Sequence, residues 1–309
     1  MKNGLQAHGG SRSATDLLEE QADRRRPGRM RYVNPALIPL LRGQDGAVAP
    51  AAAANEPAGA RTPCGACRNA PALFPFSVAF QPIVDVEAGR IDAYEALVRG
   101  PAAEGAGFVL DQVTPEQLYA FDQACRVKAI EMAARLGIDR RLNINFLPNA
   151  VYAPRACIQT TLRTARRTGF PLDRLTFEIV ESEHISETGH LRSIIDEYRR
   201  HGFQIALDDF GTGYSGLARL AELRPDIIKL DRILVQGCDT DRTRMTIVAS
   251  LLRMAQEIGV KVVVEGVERA EEVAALRAAG ARFMQGFFWA RPTFERILRD
   301  ADLPGVPAP

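Results

Sequence analysis

From residue 76 onward, short apolar runs alternate with longer stretches of helical period. The runs at 78–84, 91–98, 142–146, 175–180, 203–207, 227–230, 260–265 and 283–286 are strand-length and bounded by turn residues. Between them the pattern predicts helices over 115–136, 155–168, 189–201, 215–223, 241–258 and 270–279. Repeated βα units of this size imply a parallel sheet, and about eight strands imply a closed barrel. The first two runs are joined only by the turn at 87–90. A parallel crossover needs about a dozen residues, so one of these strands runs against the others. The expected fold is α/β, a modified TIM-type (β/α)8 barrel with one antiparallel strand. An open doubly wound sheet is the alternative that the pattern leaves open.

Residues 1–75 lack this pattern and read as a largely disordered tail and linker. They carry a basic run at 24–31 and an Ala/Pro stretch at 47–60. Such a segment buries too little apolar surface to offset its ordering entropy. The basic run reads as a solvated tail, with attraction to anionic lipid or nucleic acid as the sharper alternative. Residues 76–300 are assigned to the barrel and 301–309 to a disordered C-terminal tail. The 309 residues are 46% hydrophobic with a net charge of +1. Near-neutral charge argues against stable nucleic-acid binding. The five cysteines are scattered and odd in number, which speaks against a disulfide framework. Cys64 and Cys67 have the spacing of half a zinc site or a redox pair, but no second pair follows. No apolar segment is long enough to cross a bilayer, and the start lacks a signal-peptide pattern. The expected location is cytoplasmic.

Chemistry enters at the polar residues that interrupt the apolar runs. Asp208 and Asp209 follow the run at 203–207 and precede Gly211-Thr212-Gly213, placing two carboxylates where a strand ends and a loop begins. Adjacent anions are costly together unless a cation lies between them. A helix N-cap beside a solvated acid would explain this pair alone. It does not explain Glu95, Asn145, Glu178, Lys229, Glu265 and Gln285, which interrupt or end other strand runs. Buried carboxylates are expensive unless paired or metal-bound. Oxygen-rich ligands without clustered cysteine or histidine suit Mg²⁺ or Mn²⁺.

The motifs resemble those of the EAL domain family of cyclic di-GMP phosphodiesterases, in the family's order. They are Gln81-Pro82-Ile83-Val84-Asp85, Glu95-Ala96-Leu97-Val98-Arg99, Asn145-Phe146, Glu178-Ile179-Val180-Glu181, Asp208-Asp209-Phe210-Gly211-Thr212-Gly213, Lys229-Leu230-Asp231, Glu265-Gly266-Val267-Glu268 and Gln285-Gly286-Phe287. The resemblance covers about residues 76–294 and implies hydrolysis of cyclic di-GMP to linear pGpG with two Mg²⁺ or Mn²⁺ ions.

Residue by residue, it implies that Glu95, Asn145, Glu178 and Asp208 hold the first ion and that Asp208 and Asp209 hold the second. Lys229 corresponds to a lysine that orients the attacking water, and Glu265 to the general base. Gln81, Leu97, Arg99, Gln285 and Pro292 correspond to substrate-binding positions. Glu181 and Glu268 correspond to residues that steady the loop after the Asp-Asp strand. The resemblance also implies a homodimer beside that loop. The N-terminal tail is the expected contact for any protein partner. Val180, Leu147, Val264 and Gly216 depart from the usual pattern, and none is a proposed ligand. The alternative function is a receptor that binds cyclic di-GMP without hydrolysing it and acts through a protein partner.

Overall fold

The computed structural model describes residues 73–305 except 152, 181–187 and 214–215. The tail, Cys64, Cys67 and Glu181 therefore lie outside the described residues.

A hairpin opens the barrel. Strand β1 (Ser77–Asp85) turns at Gly89, whose φ of +61° favours glycine, into β2 (Arg90–Arg99), and the two pair antiparallel over their whole length. Parallel pairing then runs from β2 through β3 (Arg141–Asn145), β4 (Leu175–Val180), β5 (Gln204–Phe210), β6 (Ile227–Leu230) and β7 (Lys261–Val264) to β8 (Phe283–Met284). Strand β1 also pairs antiparallel with β8, which closes the barrel. The closed ring rules out the open doubly wound sheet, and β1 is the expected antiparallel member.

Strand β9 (Thr293–Phe294) takes the part of the β1 edge that the short β8 leaves open, pairing at Ala79 and Phe80. Two residues carry no readable period, so β9 leaves no trace in the hydrophobic pattern.

Helices α1 (Ala106–Leu110), α2 (Leu118–Arg135), α3 (Pro154–Thr168), α4 (Thr188–Arg200), α5 (Gly216–Leu223), α6 (Arg232–Val235), α7 (Arg242–Glu257) and α8 (Ala270–Ala278) connect the strands. The two short ones, α1 and α6, were not anticipated. Two buried apolar clusters join strands to helices, one around Phe80, Phe146, Phe177 and Tyr198, the other around Ile228, Val248, Val264 and Leu276. Beyond β9 the chain packs back on the barrel. Asp300 accepts a hydrogen bond from the Ile91 amide at 2.8 Å, and Leu303 is partly buried against both clusters.

Inside the barrel the strand period separates a dry layer from a polar one. Ile83, Ala93, Ala206, Ile227 and Val263 form a buried apolar cluster. Two residues further along their strands stand Glu95, Asp208, Lys229 and Glu265. On the reversed β1 the polar residue, Gln81, instead precedes Ile83 by two. Residues two apart share a face, so the whole polar set rises above one apolar layer at the C-terminal end of the parallel strands.

Candidate active site

The Asp-Asp pair departs from the simple strand-end expectation. Strand β5 continues through both aspartates to Phe210, and its register with β6 shifts between Leu207 and Phe210. Asp209 has φ of +55°. Strict alternation would turn neighbouring side chains to opposite faces. The extra residue of a bulge re-aims one of them, and Asp208 and Asp209 line the same pocket. Aspartate tolerates the left-handed region better than most residues, yet such a conformation still costs about 1–3 kcal/mol.

Lys229 stands at the centre. It is 1% exposed, and its Nζ lies 3.3 Å from Glu95 Oε2, 3.0 Å from Glu178 Oε1, 3.1 Å from Asp208 Oδ1 and 2.8 Å from Glu265 Oε1. Amides hold the carboxylates in place. Asn145 Nδ2 donates to Glu95 Oε1 at 3.2 Å, Gln285 Nε2 to Glu95 Oε2 at 2.7 Å, and Asn143 Nδ2 to Glu178 Oε1 at 2.8 Å. Gln81 joins through its Oε1, 3.3 Å from Gln285 Nε2, and donates to the Ala290 carbonyl at 3.1 Å.

One ammonium does not balance four carboxylates. Burial opposes ionisation of Glu95, but Lys229 and the amides of Gln285 and Asn145 outweigh it and hold its pKa below the usual carboxylate range. Burial, with the Glu95 charge beside it, pushes Glu178 well above that range despite Lys229. Burial also raises Asp208 and, more strongly, Glu265; Lys229 opposes the shift while neighbouring carboxylates reinforce it. Burial would lower the Lys229 pKa, but the surrounding carboxylates carry it well above its usual value.

The donor set fits divalent cations. Glu95, Glu178 and Asp208 bring ligand oxygens within 4.8 Å of one another, and so do Asp208, Asp209 and Glu265, with Asp208 common to both groups. Glu178 Oε2 and Asn145 Oδ1 are buried without a hydrogen-bond partner, and Asp208 Oδ1 meets Lys229 without hydrogen-bond alignment. Oxygens left this way are costly unless a cation receives them.

Of the other expected site residues, Leu97, Gln285 and Glu268 line the pocket, and Glu268 Oε1 accepts a 3.3 Å hydrogen bond from Gln236. Arg99 and Pro292 are not among the lining residues. Arg99 is buried at the end of β2 and donates to the Val98 carbonyl at 2.7 Å. Pro292 lies half-buried just before β9. Sequence reasoning passed over three contributors. Asn143 shares a face of β3 with Asn145, so the period-2 pattern held that signal. Asp231 lines the pocket and caps α6, accepting from the Ile233 amide at 2.8 Å. Arg232 begins α6, too short a helix to leave a pattern.

The closed barrel with an acid-lined pocket at the C-terminal ends of its strands defines a βα-barrel protein whose carboxylates could hold divalent cations. The sequence profile of the EAL domain matches residues 66–292, and the chain belongs to the EAL domain family. The cyclic di-GMP phosphodiesterase NbdA of Pseudomonas aeruginosa is 30% identical over 229 residues, covering 69% of this chain and 28% of that protein. A standalone versatile EAL protein of Vibrio cholerae O395, solved bound to c-di-GMP, superposes with a TM-score of 0.71 at 44% identity, covering 73% of this chain and 95% of that one. Klebsiella pneumoniae BlrP1 in a manganese and cyclic di-GMP complex gives 0.69 at 33% identity, covering 72% and 57%. The chain spans about half or less of the length of the first curated relatives it matches. No helix among the described residues is long and apolar enough to cross a membrane.

Proposed function

We propose that the chain hydrolyses one phosphodiester bond of cyclic di-GMP, releasing linear pGpG, with two Mg²⁺ or Mn²⁺ ions held in the pocket. The observation that carries this reading is the pair of carboxylate groups sharing Asp208, with buried oxygens that no protein donor satisfies. Glu95, Asn145, Glu178 and Asp208 would hold one ion, and Asp208 and Asp209 the other. When bound, paired divalent ions stabilise the attacking and leaving oxygens of an in-line displacement at phosphorus.

The chain's own residues supply the remaining steps. Glu265 takes a proton from the attacking water. Burial raises its pKa, the direction that makes a carboxylate a stronger proton acceptor, and Lys229, 2.8 Å from it, orients that water. The water oxygen bonds to phosphorus as the P–O3′ bond breaks. Gln81, Leu97, Arg99, Gln285 and Pro292 are assigned to the nucleotide, and Glu181 and Glu268 to the loop after β5. The reading includes a homodimer, for which the exposed Leu217 and Ile233 beside that loop offer apolar area, a cytoplasmic location, and a protein partner reached through the N-terminal tail.

Chelation should abolish hydrolysis, and Mg²⁺ or Mn²⁺ should restore it. Divalent ions require Glu178 and Asp208 deprotonated, and both have raised pKa values. Protons therefore compete with the ions, and the half-saturating metal concentration should fall as pH rises. Hydrolysis undiminished by exhaustive chelation would refute the metal assignment.

Arg232 adds a cation at the pocket wall. Gly266, at φ of +70°, lets the Arg232 stem pass so close that a Cβ there would stand 2.2 Å from Arg232 Cβ. Lys229 is surrounded by carboxylates, whereas the Arg232 guanidinium has no ion pair among the described residues. It is placed to meet the second phosphate of a cyclic dinucleotide. Arg232→Gln should raise KM about tenfold, equivalent to about 1.4 kcal/mol, with a smaller change in kcat. Steady-state kinetics with unchanged KM would remove Arg232 from substrate binding.

A further inference from the structure

Behind the wall that carries Asn145 and Glu178 sits a charged unit with no part in the steps above. Arg126 of α2 is 0% exposed. It is ion-paired with Asp122 one helical turn earlier, and its Nη1 donates to the Tyr198 hydroxyl of α4 at 2.8 Å. The guanidinium also lies 5.5 Å from the Phe146 ring centroid, 5.6 Å from that of Phe177 and 6.0 Å from that of Tyr198. Asp122 Oδ1 accepts a 3.0 Å hydrogen bond from the Leu147 amide.

The sequence neighbours of these contacts give them meaning. Phe177 directly precedes Glu178, and Phe146 directly follows Asn145. Adjacent side chains along a strand point to opposite faces. Phe146 and Phe177 therefore pack in the cluster between barrel and helices, while Asn145 and Glu178 turn inward, where Asn145 meets Glu95 and Glu178 meets Lys229. Leu147, held by Asp122, is the second residue beyond Asn145. Asn145 gives its Nδ2 to Glu95 and keeps Oδ1 buried and unpartnered, an orientation that serves a cation only while the segment after β3 stays fixed.

Stability alone does not account for the unit. A buried ion pair is often no better than apolar residues of similar volume. We infer that Asp122, Arg126 and Tyr198 form a positioning unit that clamps β3 and β4 from the helix side and fixes Asn145 and Glu178 for divalent-ion binding. The inference rests on the reading of Asn145 and Glu178 as metal ligands.

The test is calorimetric titration of the full chain with Mn²⁺, alongside its thermal unfolding. The double variant Asp122→Leu/Arg126→Met removes both charges together. It should fold, and should bind Mn²⁺ about 10–100-fold more weakly, the usual cost of losing a group that orients a metal ligand. Arg282→Met is the control. It breaks the Arg282–Asp85 pair, with Nη2 to Oδ2 at 2.8 Å, at the opposite end of the barrel; it should lower the melting temperature and leave Mn²⁺ affinity unchanged. If the double variant does not fold, Tyr198→Phe decides, since it deletes only the hydroxyl and should still weaken Mn²⁺ binding. Wild-type affinity in whichever of these two variants decides overturns the inference. Absence of Mn²⁺ binding by the wild-type chain would instead overturn the metal-site reading beneath it, and the inference with it.

Discussion

Glu265→Gln is expected to bind cyclic di-GMP and to make almost no pGpG. The substitution keeps the side chain's size while removing the proton acceptor and one negative charge from around Lys229. Removing a general base costs about 10²–10⁴ in rate. Glu265 also belongs to the acidic group it shares with Asp208 and Asp209, so weakened metal binding would deepen the loss. The nucleotide contacts assigned to Gln81, Leu97, Arg99 and Arg232 remain in the variant. Its dissociation constant should therefore stay near that of the wild type when both are measured by titration under the same metal conditions. Near wild-type turnover would show that Glu265 is not the base and that another group accepts the proton.

Lys229→Met should have the largest effect on stability. The ammonium is the common partner of four carboxylates and is 1% exposed. Removing one partner from a buried ionic cluster typically costs about 3–5 kcal/mol. The deficit should depend on pH with a definite sign. Glu178, Asp208 and Glu265 already have folded-state pKa values above those of an unfolded chain, and losing Lys229 moves them higher. A carboxylate with a raised folded pKa lowers stability as pH rises through the window between its unfolded and folded values. The variant should therefore approach the wild type in weakly acidic buffer and fall furthest behind at neutral pH, in urea unfolding with chelator present. Saturating Mn²⁺ should recover part of the loss, because cations replace the missing positive charge. Equal unfolding midpoints at neutral pH would mean that the carboxylates are not ionised around Lys229.

Much of this site was legible because a barrel strand writes its geometry as a period of two. Glu95, Leu97 and Arg99 stand on one face of β2 for that reason, as do Asn143 and Asn145 on β3. The convergence of Glu95, Glu178, Asp208, Lys229 and Glu265 followed from placing each at the same level of its strand. The bulge that turns Asp208 and Asp209 into one pocket was not legible, since a register shift depends on the partner strand. Strand β9 and helix α6 were too short to carry a period, and Arg232 was missed with them. Arg126 was missed for another reason. In a helical pattern a charged residue reads as a solvated position, and nothing local indicates that Tyr198, 72 residues away, will bury it. Composition likewise gave no clue that β1 shares one edge between β8 and β9.

The most direct measurement is chromatography of the products formed when the purified chain is incubated with cyclic di-GMP and either Mg²⁺ or Mn²⁺, beside a sample held in chelator. The account predicts time-dependent conversion to linear pGpG with the metals and intact cyclic di-GMP in chelator. Cyclic di-GMP that binds the chain yet remains intact with both metals would contradict it, and would leave the receptor that acts through a partner as the function of this barrel.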